Sequence, residues 1–154
     1  MKKVLGILLT LVLLFSLVSC NETPSTSSDL ASSDATSSEN VVVSLWDNAV
    51  YTEDTTVGEG EKTVYVEVKA DEKSITFTIN TNATILGDAL IENNLIAGEE
   101  GAYGLYVKTV NGILADYDVD ATYWGFFKDG EYMMSGVDTT EISGGEHYEL
   151  VRTK

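Results

Sequence analysis

The chain has 154 residues, with 25 acidic against nine basic side chains and a formal charge of −16. So large an acid excess repels phosphate backbones and disfavours nucleic acid as a partner; it equally disfavours electrostatic attachment to anionic lipid. A single cysteine, Cys20, and a single histidine, His147, exclude an internal disulfide, and they exclude a Cys- or His-cluster zinc site and a cysteine nucleophile beyond residue 20.

Lys2 and Lys3 precede an apolar run, Val4 to Val18, broken only by Gly6, Thr10 and Ser16. The run is shorter than the about 20 apolar residues that span a bilayer and has the form of a secretory h-region. It ends in Leu17-Val18-Ser19-Cys20, which resembles a bacterial lipobox. The resemblance implies a signal peptide over residues 1–19, cut before Cys20, and lipid on that cysteine. The protein is then expected at the cell membrane, lipid-anchored on the extracytoplasmic face. Loss of Lys2 and Lys3 leaves seven basic against 25 acidic residues, a formal charge of −18. The lipid must therefore do the anchoring, and two or more acyl chains such as palmitate hold stably where one does not.

Asn21 to Asn40 carries seven serines, three threonines and Pro24, with only Leu30, Ala31 and Ala35 apolar. Such a segment buries too little to offset its ordering entropy, so residues 20–40 are expected to be a lipidated cysteine followed by a disordered tether. Residues 41–154 are the right size for one domain with one core and contain no internal repeat.

Val41 to Val57 is read as an added strand and loop, with Leu45 and Trp46 docking on the domain. Val64, Val66 and Val68 alternate with Tyr65, Glu67 and Lys69; after Asp71-Glu72-Lys73, Ile75, Phe77 and Ile79 alternate with Thr76, Thr78 and Asn80. Period 2 and β-branched residues predict a hairpin with one buried face. Residues 84–94 predict the one main helix: Leu86, Ala89 and Leu90 share a face, Thr84 is the expected N-cap, Asp88 suits the first turn, and Gly98 follows. Leu105 to Val110, Asn111-Gly112 and Ile113 to Ala115 predict a second hairpin. Tyr123 to Phe127 and Tyr132 to Met134, across Asp129-Gly130, predict a third, and His147 to Arg152 a closing strand. A hairpin, a helix across one face and further strands make an α+β domain with a β-grasp-like mixed sheet.

Few motifs promise chemistry. His147 has two readings, a surface histidine on a strand or an axial contact to a metal-containing ligand. Asp116-Tyr117-Asp118-Val119-Asp120 starts like a calcium loop, but Ala121 and Phe127 stand where an EF-hand needs Gly and Glu; a solvated acidic loop fits better. Glu59 with Glu61 and Glu99 with Glu100 are pairs expected by chance in so acidic a chain, and nothing marks either as a buried acid–base pair. No enzymatic constellation is present and no cofactor is required. The aromatic run Tyr123-Trp124-Gly125-Phe126-Phe127 puts Trp124 and Phe126 on one strand face and Tyr123 and Phe127 on the other. One face suits the core; the second is open to two-sided burial, a partner or a flat ligand. Gly125 is open to a bulge or to close approach of a ligand.

Gly104-Leu105-Tyr106-Val107-Lys108-Thr109-Val110-Asn111-Gly112, Tyr123 to Phe127, Gly136-Val137 and Gly145-Glu146-His147-Tyr148-Glu149-Leu150, in that order, resemble the transcobalamin C-terminal-like family over about Trp46 to Thr153. Its bacterial members are often lipoproteins of this build. In the animal carriers the matching domain is a β-rich cap over one face of a corrin ring, with a helical barrel on the other side. The resemblance implies cobalamin or a related corrinoid as ligand, with contacts near Tyr106, Val107, Trp124, Gly125 and Phe126; strand geometry adds Met133. This chain lacks the helical barrel, so a partner protein would have to complete the pocket. It also has Gly125 where the animal carriers have a polar residue. The leading expectation is a surface-anchored, non-enzymatic ligand-binding module. The alternative is a protein–protein interaction or adhesion module using the same aromatic surface.

Overall fold

The alternating valines become two nine-residue strands. In the computed structural model, which describes residues 44–154, β2 (Lys62–Ala70) and β3 (Lys73–Thr81) pair antiparallel in unbroken register from Lys62↔Thr81 to Ala70↔Lys73. Val64, Val66, Val68, Ile75, Phe77 and Ile79 are buried on one side, as the period of 2 requires. The expected signal peptide, Cys20 and the tether lie outside the described residues.

The remaining strands extend this hairpin. β1 (Thr55–Val57) runs parallel to β3, and the last strand, β9 (His147–Thr153), runs parallel to β2. β7 (Tyr123–Lys128) pairs antiparallel with β9, and β8 (Glu131–Tyr132) with β7, giving the order β1-β3-β2-β9-β7-β8. The final strand lies beside the first strand of the opening hairpin, which is the β-grasp arrangement within a mixed sheet. β4 (Ile96–Gly101), β5 (Gly104–Val110) and β6 (Ile113–Leu114) form a separate three-stranded antiparallel sheet. The main helix, α1 (Leu86–Glu92), sends Leu86, Ala89 and Leu90 into the core formed by the sheets.

Several local expectations change. Thr84 does not cap α1. Ile85 holds the N-cap position with no side-chain bond, and the Leu86 N–H reaches the Thr140 carbonyl at 2.8 Å. The cause is tertiary: Ile85 bridges Glu141, and Ile142 N–H donates to the Thr84 carbonyl at 2.9 Å, so a distant backbone segment fills the capping role. Gly98 does not mark the helix end either. The helix stops at Asn93, Asn94 turns left-handed (φ 55°), and Gly98 sits in β4, where a Cβ would lie 2.1 Å from the Tyr106 carbonyl oxygen. The third hairpin's second strand is shorter than expected, Glu131–Tyr132, and Met134 is fully exposed. The acidic stretch coils into one helical turn, α2 (Tyr117–Asp120), capped by the Asp116 carboxylate on the Asp118 N–H.

Before β1 the chain makes a 3₁₀ turn, Leu45–Asn48, closed by a Ser44–Asp47 capping box. Trp46 is driven into the core edge, its Nε1 donating to the Ala70 carbonyl at 3.0 Å while Lys73 Nζ lies 4.6 Å over its ring. The chain just beyond this turn is secured by Asn111. With Gly112 it forms the two-residue turn between β5 and β6, both at positive φ (51° and 80°). Its side chain is fully buried: Oδ1 accepts the Tyr51 N–H at 2.9 Å and Nδ2 donates to the Tyr51 carbonyl at 2.8 Å.

Asn111 therefore serves a turn and a clasp together, and two substitutions separate them. Asn111→Gly keeps the left-handed backbone and loses only the clasp, whereas Asn111→Ala loses both. The expected cost is about 1–3 kcal/mol for glycine and about 1 kcal/mol more for alanine. Urea midpoints at unchanged m-value measure it; equal losses in the two variants would show that the turn carries no conformational demand.

Candidate functional site

β7 and β9 face each other with Phe126 opposite Leu150 and Trp124 opposite Arg152. Directly opposed residues share a sheet face, so Trp124, Phe126 and Leu150 project together toward the core side. β5 brings Leu105, Tyr106 and Val107 across from them, and the chain leaving β8 brings Tyr132, Met133 and the stretch Ser135-Gly136-Val137. These residues line a cleft of about 150 Å³. Met133 is held there by its backbone N–H, which donates to the Phe126 carbonyl at 2.9 Å. The floor is apolar, and the rim, with Tyr106 and Tyr132, is exposed.

Trp124 is 8% exposed and its Nε1 is buried without a hydrogen-bond partner among the described residues. Indole N–H groups are normally partnered when buried, so this donor is set apart from the satisfied one on Trp46. Behind the cleft, Phe126 stacks on Tyr148 at 5.7 Å and 26°. Burial, followed by the charges of Glu146 and Asp129, pushes the Tyr148 phenol up from its ordinary range.

Tyr106, Val107, Trp124, Phe126 and Met133, the residues singled out in the sequence, thus meet at one cleft. Gly125 does not. It belongs to the opposite sheet face, where a Cβ would lie 3.0 Å from Cε2 of Phe127. The Phe127 ring leans over the glycine and meets Tyr132 edge-on at 5.3 Å and 87°. The second apolar face of β7 is therefore covered largely by its own strand and by β8. The sequence reading missed Leu150 and Ser135; Leu150 shows only in the register of β9 against β7, and Ser135 stands in a stretch with no periodic pattern. It also placed no cleft role on Val137, which is buried at the cleft wall.

His147 pairs with Tyr65 across the parallel β2–β9 ladder and sits on the face away from the cleft, with Nε2 3.9 Å from Glu67. An axial contact to a ligand in the cleft is out of its reach; it is a half-exposed strand histidine. Beside it Lys69 binds Glu149 at 2.5 Å and Glu67 at 3.2 Å. The Lys69 hydrogen bond, opposed by desolvation, holds the Glu149 carboxyl below its usual range; the same bond raises Lys69. Asp120 is engaged by Thr122 and Arg152, and no three His, Cys, Asp or Glu side chains among the described residues are grouped to hold a metal ion.

Residues 82–147 match a family model described as a domain of unknown function (DUF4430). A solved protein from Ruminococcus gnavus, described as a proposed metal binding protein, is 36% identical, with a TM-score of 0.58 over 61% of this chain and 98% of its own. The two chains belong to one family. Haptocorrin, solved in complex with Cbi (cobinamide), overlaps at 23% identity and a TM-score of 0.49, covering 60% of this chain and 25% of its own length. No curated protein matches the chain.

The Lys69–Glu149 pair sets a pH dependence whose sign is fixed. Glu149 is depressed in the folded state, so its contribution is complete above the unfolded value of about 4.3 and fades as pH falls through the lower folded value. The raised Lys69 keeps its contribution until pH rises past about 10.4. Glu149→Gln should therefore be less stable than the parent at pH 7 and indistinguishable from it near pH 2. Denaturation midpoints at both pH values test this, and a gap that persists in acid would remove the pair as its cause.

Proposed function

We propose that the protein is a lipid-anchored, non-enzymatic module on the extracytoplasmic face of the cell membrane, and that its Trp124 cleft captures cobalamin or a related corrinoid. The observation that carries the ligand reading is convergence. Of the six residues that the family resemblance and strand geometry name, five, Tyr106, Val107, Trp124, Phe126 and Met133, separated by up to 27 positions, line one cleft, and Gly125 does not. Aromatic and aliphatic walls with a polar rim suit the face or edge of a large flat ligand.

Size refines the reading. At about 150 Å³ the cleft is smaller than the roughly 300–1,000 Å³ of sites that engulf a small molecule. A corrinoid would therefore be held on one side, with its other face exposed or closed by a partner protein. Binding on one side leaves less apolar area to offset the cost of association, and anchoring through Cys20 compensates by raising local concentration at the membrane. A metal ion coordinated directly at α2 is disfavoured, since Asp120 is already engaged by Arg152 and Thr122, and the N-cap Asp116 by Lys108 and the Asp118 N–H.

Titration calorimetry of the lipid-free chain with cobalamin and cobinamide tests the ligand. Saturable binding is expected, weakened about tenfold or more by Trp124→Ala, equivalent to about 1.4 kcal/mol. His147→Ala, on the far face, should leave it unchanged. No heat at near-millimolar ligand would sink corrinoid capture by this domain. The anchor is tested separately: Cys20→Ser should move the protein from the membrane fraction to the medium, and unchanged fractionation would refute lipid attachment at that residue.

A further inference from the structure

Asp138 stands where three parts of the fold meet. It lies in the 3₁₀ turn Val137–Thr139, next to the cleft wall formed by Ser135, Gly136 and Val137. Its backbone packs on α1 so closely that a Cβ at Gly87 would lie 3.0 Å from the Asp138 Cα. Its Oδ2 accepts the backbone N–H of Leu105 at 3.1 Å.

Leu105 is a sensitive place to grip. The β4–β5 hairpin is rooted in the core through Ile96 and Val110, but residues 97–101 of β4 are all exposed and Tyr103 at its tip is fully so. Leu105 is the second residue after that tip, and Leu105, Tyr106 and Val107 form one wall of the cleft. The hairpin is thus held at its root by packing and nearer its tip by the partly buried Leu105 and Val107 side chains together with this carboxylate.

The surroundings of that carboxylate are built to admit it. A Cβ at Gly104 would fall 2.3 Å from Oδ2, and one at Gly136 2.3 Å from Oδ1. Gly104 also has φ +108°, a conformation that side chains rarely adopt. Oδ1 is buried with no partner among the described residues. A carboxylate with an oxygen left unpaired is a poor choice for stability alone, so its presence points to the placement it enforces.

We propose that Asp138 is a positioning residue that pins the tip of the β4–β5 hairpin to the Gly136–Val137 wall and so fixes the width of the Trp124 cleft. The inference rests on the reading of that cleft as the binding site. Removing the carboxylate frees the hairpin tip, and the cleft opens on the Tyr106 side while the core stays in place.

Three variants of the purified chain, followed by amide exchange and indole resonances in NMR and by cobinamide titration, test this. Asp138→Ala should speed exchange of the Leu105 amide by about tenfold or more, shift the Trp124 indole signal and weaken cobinamide binding. The Trp46 indole, bonded to Ala70, should stay where it is. Asp138→Asn keeps an amide oxygen for Leu105 and should restore the protection and the Trp124 signal. Gly136→Ala leaves Asp138 in place but displaces its carboxylate, and should reproduce Asp138→Ala. Unchanged Leu105 protection in Asp138→Ala would overturn the proposal, as would both indoles moving together or Asp138→Asn behaving like the alanine variant. Failure of the parent chain to bind cobinamide would remove the corrinoid reading alone, because exchange and indole signals still decide the role of Asp138.

Discussion

The parallel pairing of β9 with β2, from Tyr65↔His147 to Lys69↔Val151, is the constraint on which the rest depends. It joins the beginning of the domain to its end and places Tyr148 and Leu150 at the centre of the sheet, both fully buried. A parallel neighbour cannot be reached by a tight turn, so the chain between the two strands, apart from β3, β7 and β8, which join the sheet, must run outside it. α1, the second sheet and the segment Gly136–Ile142 are that excursion. The Leu86 and Ile142 backbone bonds that replace a helix cap exist because the returning chain passes directly over the start of α1.

The same pairing makes the cleft. Once β9 is fixed, β7 has one free edge of β9 to join, and the register Phe126↔Leu150 sends Trp124 and Phe126 to the core side. β5 pairs with β4 and β6 in the second sheet and packs across this one. A gap between two sheets that are joined only where their cores touch is the natural result, and its lining comes from three separate stretches of chain. This explains why the cleft has an apolar floor without being closed: that floor is made of core strands at the point where the core runs out.

How much of this was legible in the sequence depends on the range of the interaction involved. The β2–β3 hairpin, the helix face Leu86, Ala89 and Leu90, and the Asn111-Gly112 and Asp129-Gly130 turns were plain, because each depends on neighbours within a few residues. Those turns take positive φ at both positions, as their residue types require. β4 was missed because Ile-Ala-Gly-Glu-Glu-Gly has neither alternation nor β-branched content beyond Ile96; its strand character is imposed by β5. Thr84 was misjudged because a capping residue and a residue bonded to a remote backbone segment look alike locally. At the cleft, the resemblance named Trp124, Phe126, Tyr106 and Val107, and alternation added Met133. Alternation also separates Gly125 from Trp124, and only the contact with the Phe127 ring shows what that glycine is for.

The two faces of β7 differ in what holds them. On the core face Trp124 and Phe126 are buried in one cluster with Leu150 and Tyr148. On the outer face Phe127 is supported by Gly125 beneath it and Tyr132 beside it. Residue Tyr132 also borders the cleft, so the outer cluster and the cleft meet at the edge strand β8. A strand of two residues holds that meeting point through Phe127↔Tyr132 and Lys128↔Glu131, with the Met133 N–H bonded to the Phe126 carbonyl just beyond. The cleft therefore combines a buried floor with a rim set by short-range contacts: β8 on one side, the tip of the β4–β5 hairpin on the other. In such a site the floor determines what class of surface can be recognised, and the rim determines how tightly it is held.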